Sequence, residues 1–123
     1  MVYTAPLKKA LASLKRSLDQ PKNEFIRNST IQCFEFSYEL SWKTLKRYLS
    51  ENQGVDESNI KNLYRIAAKE NLIVSVETWF EYHKARNLTS HTYNEDTAEI
   101  VYSHARKFYQ DALNLLSKLE KLA

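Results

Sequence analysis

Phe34-Glu35-Phe36-Ser37-Tyr38-Glu39-Leu40-Ser41-Trp42-Lys43-Thr44-Leu45-Lys46 is the stretch that decides the fold. With its neighbours it gives one tight helical stripe, Ile31, Phe34, Tyr38, Trp42, Leu45 and Leu49, spaced by three and four residues. On a wheel, Cys33, Phe36 and Leu40 fall nearly opposite, while Glu35, Glu39, Lys43 and Lys46 fill one flank. Glu39 precedes Lys43 by one turn, the favourable order for an intrahelical pair. A helix apolar on two sides belongs at the centre of a bundle, with its core on one side and another helix, a second copy or a partner on the other. Its aromatic residues are read as core packing, because rings carry large burial energies. The helix is expected from Glu24 or Ser29 to about Glu51, stopped by Asn52-Gln53-Gly54.

The rest of the chain fits around it. Tyr3, Leu7, Ala10, Leu11, Leu14 and Leu18 predict a first helix over Ala5 to Asp19, ended by Pro21. Ile60, Leu63, Tyr64 and Ala67 predict a short helix over Ile60 to Asn71, followed by a buried connector, Leu72-Ile73-Val74, and an N-cap at Ser75. A fourth helix, Val76 to about Leu88, carries Val76, Phe80, His83 and Asn87 on one stripe, flanked by Trp79 and Arg86. His83 is read as a satisfied core histidine. The last helix starts after Tyr93, capped by Thr92 or Asn94, and a sustained apolar face runs from Ala98 to Leu119. The expected architecture is all-α: one domain over residues 1–123, an up-and-down antiparallel bundle of four long helices and one short one.

Composition agrees. One glycine and two prolines in 123 residues argue against a turn-rich β fold. The lone Cys33 excludes an internal disulfide and suits a reducing compartment. No apolar run approaches the roughly 18 residues of a membrane span, and Met1 to Lys9 lacks the order of a secretory signal. A cytoplasmic location with no membrane partner is expected. A net charge of +3 permits nucleic-acid contact without requiring it.

Arg86-Asn87-Leu88-Thr89-Ser90-His91-Thr92-Tyr93 breaks the apolar period between two helices. On a continuous helix Arg86 and His91 would point about 140° apart, so they serve one ligand only if the helix ends or bends between them. An arginine fork suits phosphate, and histidine is the usual proton carrier near neutral pH. On the residues alone two readings stay open: a phosphodiester site, or a helix-capping Arg86 beside a loop histidine. His83 and His91 would lie roughly 12 Å apart along a helix, too far to share a metal. Neither metal nor cofactor is expected.

Arg86, His91 and Tyr93 together resemble the R-x4-H-x-Y motif of the HEPN-domain family, and Asn87 matches the polar residue that often follows the arginine. The Phe34–Lys46 block resembles the second-helix signature of one branch, the small nucleotidyltransferase substrate-binding proteins encoded beside a minimal nucleotidyltransferase. The resemblance implies a helical bundle, a homodimer, a minimal nucleotidyltransferase partner, and RNA or a nucleotide as ligand. It implies a metal-independent endoribonuclease toxin with Arg86 as phosphate clamp, His91 as general acid or base and Asn87 orienting phosphate or histidine. Tyr93 would be the residue that the partner adenylylates to silence it. The face bearing Cys33, Phe36 and Leu40 is one expected protein interface. A second implied function is a non-catalytic nucleotide- or substrate-binding subunit of a two-chain nucleotidyltransferase. The chain is not the catalytic half, which needs a Gly-Ser turn followed by paired aspartates, and nothing of that kind follows Gly54. A third reading is a helical interaction module whose polar corner is structural.

Overall fold

Asn23 and Gly54 bracket the longest helix of the computed structural model, which describes residues 2–122. Asn23 accepts from the Ile26 N–H at 2.8 Å, and Gly54 closes the other end at φ 65°, the left-handed value that favours glycine. In chain order the helices are α1 (Ala5–Leu18), α2 (Glu24–Gln53), α3 (Ile60–Lys69), α4 (Val76–Asn87) and α5 (Glu95–Leu122), with a 3-10 turn at Leu88–His91 before α5. α2 packs against every other element, and α5 lies along α1, α2 and α4. The bundle is therefore all-helical among the described residues and centred on α2, as the sequence indicates.

The core is a set of rings set edge to face. Phe108 of α5 meets Phe34 of α2 at 5.2 Å and Tyr82 of α4 at 5.3 Å, with interplanar angles of 85° and 83°. Trp79 joins them at 5.8 Å. These offset geometries suit the ring quadrupoles. The Tyr82 hydroxyl donates to Asp111, so the buried ring keeps its polar end satisfied. Burial and that carboxylate push the Tyr82 phenol well up.

The structure changes several expectations. The buried arc of α2 includes Thr30, Ser37, Ser41 and Thr44, so it is about 140° wide and turned toward Cys33 and Leu40. Those two are half-buried edges of the same core, and of the supposed opposite face only Phe36 projects, 54% exposed. Three of these hydroxyls enter the core at little cost because they bond backward: Thr30 Oγ1 donates to Ile26 O at 2.9 Å, Ser41 Oγ to Ser37 O at 2.8 Å and Thr44 Oγ1 to Leu40 O at 2.6 Å, whereas Ser37 Oγ has no partner among the described residues. Trp42 sits at the other edge, half-buried. On α4 the buried residues are Trp79, Tyr82 and Ala85; Val76, Phe80 and His83 are half-buried beside them and Asn87 is exposed. Tyr3 is exposed and Val2 is buried instead. In the connector Leu72 and Ile73 are buried but Val74 is 89% exposed, because α3 stops at Lys69 and Asn71 turns left-handed (φ 61°).

Candidate functional site

Between Asn87 and Glu95 the chain leaves one helix and enters the next, and its own hydroxyls make the break. Thr89 Oγ1 lies 2.7 Å from Arg86 O, and Thr92 Oγ1 donates to Thr89 O at 3.1 Å. Such bonds compete with helical continuation. Asn94 then caps α5, accepting from the Thr97 N–H at 3.1 Å. Thr92 does not cap it. The helix thus ends between Arg86 and His91, as the motif's spacing requires for a shared ligand.

Two carboxylates on α2 hold this junction. Thr89 Oγ1 lies 2.7 Å from Glu35 Oε2, which ties the 3-10 turn to the central helix. One turn along α2, Glu39 Oε1 lies 2.7 Å from Arg86 Nε as an ion pair, although the angle leaves the Nε–H without a linear hydrogen bond. Glu39 also faces Lys43 at 3.8 Å, so one carboxylate serves two cations. On the far side, buried Arg27 pairs with Glu95 and, at 3.1 Å, with Glu99, and Lys22 pairs with Glu99. These pairs anchor the first turn of α5 to the start of α2.

Arg86 and Asn87 line an open groove of about 470 Å³ together with Glu39, Trp42, Asn59 and His83. His83 is half-buried; its Nδ1 lies 3.1 Å from Tyr38 Oη, and Tyr38 Oη lies 2.5 Å from Tyr64 Oη. Burial, then the Arg86 charge, lowers the affinity of His83 for a second proton. Burial pushes both phenols well up. His91 stands outside this groove, exposed in the 3-10 turn, with its ring edge-on to Tyr93 at 6.0 Å. Tyr93 is 85% exposed and free to meet another protein. Among the described residues no hydrogen bond or ion pair joins Arg86 to His91 within one chain.

Cys33, Phe36 and Leu40 are not part of this cluster, and burial raises the Cys33 thiol. Among the described residues no group of three or more His, Cys, Asp or Glu side chains is arranged to hold a metal ion. No described helix is long and apolar enough to cross a membrane. Glu35 and Glu39 hold the candidate site, Tyr38 and Tyr64 lie behind His83, and Arg27 braces the start of α5, contacts that the sequence alone does not reveal. Only the carboxylates left a signal, as two acids one turn apart on the flank of α2.

Residues 4–121 match the family described as "Nucleotidyltransferase substrate binding protein like". A Haemophilus influenzae protein named "Probable ribonuclease HepT" is 36% identical over 95 residues, covering 74% of this chain and 65% of that protein. The match therefore spans less than two thirds of the curated relative. A Thermus thermophilus protein of known crystal structure superposes with a TM-score of 0.85 at 29% identity, over 92% of this chain and 98% of that one. A Haemophilus influenzae structure, described as revealing the fold of a substrate binding domain of a nucleotidyltransferase, gives a TM-score of 0.84 at 32% identity, over 93% and 96%. With the Arg86, His91 and Tyr93 motif on a helix break and the family match running almost end to end, this chain belongs to the nucleotidyltransferase substrate-binding branch of the HEPN-domain family.

Proposed function

We propose that the protein is the HEPN-type partner of a minimal nucleotidyltransferase and cleaves RNA without a metal through Arg86 and His91. The observation that carries this reading is the helix break, which lies between Arg86, paired with Glu39 of α2, and an exposed His91, whose turn is tied to α2 through Thr89 and Glu35. The ribonuclease name of the Haemophilus relative supports it. In the reaction a base removes the proton of a ribose 2′-hydroxyl, and that oxygen bonds to the adjacent phosphorus. The 5′-oxygen then leaves with a proton from an acid. Arg86 neutralises the charge building on the phosphate, Asn87 orients it, and His91 carries the proton. Two chains in a homodimer supply two histidines, one for each proton transfer. Adenylylation of the exposed Tyr93 sets a bulky anion beside His91 and silences cleavage by repelling RNA.

The test is cleavage of a mixed RNA by the purified protein in EDTA, beside His91→Ala. Activity in EDTA that vanishes in the variant is expected. Incubation with the partner and ATP is expected to add adenylyl mass to the wild type and lower its cleavage, and to leave Tyr93→Phe unmodified and active. Two observations favour a second reading, a binding subunit of a two-chain nucleotidyltransferase: the groove beside Arg86 and the substrate-binding fold ascribed to the Haemophilus structure. Equal inertness of folded, unmodified wild type and His91→Ala, with nucleotide binding retained, selects it.

A further inference from the structure

The groove holds a second polar group with a defined chemistry. Tyr64 Oη is fully buried, and among the described residues its partner is Tyr38 Oη, 2.5 Å away. Tyr38 Oη in turn reaches His83 Nδ1 at 3.1 Å. Two hydroxyl protons must be placed on this chain of three atoms. If His83 carried its proton on Nδ1 and donated it to Tyr38, Tyr38 would donate to Tyr64. The Tyr64 proton would then be stranded in the core without an acceptor, a costly arrangement. The opposite direction satisfies every group: Tyr64 donates to Tyr38, and Tyr38 donates to His83 Nδ1. His83 then carries its proton on Nε2, which has no hydrogen-bond partner among the described residues, and the His83 ring lines the groove beside Arg86.

We propose that His83 is a binding residue for a nucleoside phosphate held in the Arg86 groove, where its Nε2–H donates to a phosphate oxygen and the Tyr64–Tyr38 chain sets that tautomer. This rests on the reading of Arg86 as a phosphate clamp and extends it to a second, uncharged donor. A second proton on His83 would force the Tyr38 proton inward and add a cation beside Arg86, so the imidazole stays a neutral donor near neutral pH. Glu39 also lines the groove, but it is shared between Arg86 and Lys43, so the local balance stays positive for an anion. Trp42 supplies an aromatic wall on which a base can stack. The phosphate can come from a free nucleotide or from an RNA chain.

Nitrogen NMR of the ¹⁵N-labelled imidazoles reads the tautomer directly in the wild-type protein. Nε2–H with a bare Nδ1 is expected, and a proton on Nδ1 overturns the proposal. Titration with 5′-AMP and with a short oligoribonucleotide, in a His91→Ala background that removes turnover, then reads the site. Either ligand should move the His83 Nε2 resonance; AMP doing so identifies free nucleotide as a source, and the oligonucleotide alone identifies RNA. His83→Ala should weaken the ligand roughly tenfold or more, the worth of one hydrogen bond to an anion. His83→Gln, which keeps an N–H donor, should recover most of that. Tyr38→Phe should release the tautomer and weaken binding, whereas Tyr82→Phe, an equally buried hydroxyl deletion elsewhere, should not. Affinity within twofold in His83→Ala, or an unmoved His83 resonance at saturation, refutes the site. Either result leaves RNA cleavage through His91 untouched, so the two readings fail separately.

Discussion

Cutting the link between Glu35 and Thr89 should loosen the turn that carries His91 while sparing the bundle. The Thr89 hydroxyl has one proton and two acceptors at 2.7 Å, Glu35 Oε2 and Arg86 O. The ionised carboxylate is the stronger acceptor. A hydrogen bond to a charged group contributes about 1.5–3 kcal/mol net when buried. Both residues here are half-buried, so about 1–1.5 kcal/mol is a fair figure after solvent screening. Since 1.4 kcal/mol is tenfold in an equilibrium, Thr89→Val or Glu35→Ala should raise local opening of the 3-10 turn roughly tenfold. Thr89→Val keeps the branched shape, and Thr89→Ser should behave as wild type. In a double-mutant cycle the pair should couple by about 1 kcal/mol, because each single variant already removes the shared bond. Amide hydrogen exchange is the assay. Protection over Leu88–Asn94 should fall about tenfold with the amides of α1 and mid-α5 unchanged, and RNA cleavage should fall with it. Unchanged exchange in the turn, or an equal loss across all helices, refutes the idea that Glu35 pins this segment.

Other consequences are simpler to check. Phe108→Ala empties the ring cluster around Phe34, Trp79 and Tyr82; it should cost about 3–5 kcal/mol and lower Tm by roughly 10 °C or more in a thermal melt. Gly54→Ala meets no atom within 4 Å, so the cost lies in its φ of 65° alone; about 1 kcal/mol should appear in a denaturant midpoint with m unchanged. The Glu99 carboxyl is held below the usual carboxylate range by hydrogen bonds from Lys22 and then Arg27. A depressed folded pKa adds stability that is present above the unfolded value and lost as pH falls through the folded one. Glu99→Gln should therefore be less stable than wild type near pH 7, and acid titration should bring the two curves together.

The number, order and approximate ends of the helices are legible because the apolar period agrees with stop signals at Pro21 and Gly54 and with start signals at Ser75 and Asn94. The rotation of two helices is not. On α2 the apolar residues alone do not show the full buried arc, which also takes in Ser37, Ser41 and Thr44; Ser41 and Thr44 bond back to their own helix, and Ser37 is tolerated by its small size although its hydroxyl has no partner among the described residues. On α4, Phe80 and Val76 drew the stripe to one side, while the helix buries Trp79, Tyr82 and Ala85. Phe80 keeps contact with water and is covered by Lys61 and Lys84, whose ammonium groups lie 4.8 and 5.5 Å from its ring. Amphipathic rings and small hydroxyls are ambiguous about burial, and both errors arise at such residues.

The same ambiguity explains why the motif was legible and its support was not. Along the sequence, Glu39 has an obvious partner one turn on in Lys43, and charge order alone would spend it there. In the fold the shorter contact runs to Arg86, at 2.7 Å against 3.8 Å. Which partner lies nearer depends on the rotation of α2 against α4, and that rotation is set by the hydroxyl-bearing seam that an apolar wheel leaves out. Glu35 follows the same logic: it has no cation one turn ahead, and it reaches Thr89 only because α2 turns that flank toward the 3-10 turn. Two acids one helical turn apart, each paired to a different part of the junction, make α2 a ruler against which Arg86 and the His91 turn are set. Shifting that ruler without touching the motif, by enlarging Ser37 or Ser41 to leucine, should disturb Arg86 and Thr89 together. Loss of both contacts in one variant, seen as matched changes in Arg86 side-chain and Thr89 amide resonances, separates a shared scaffold from two independent pairs.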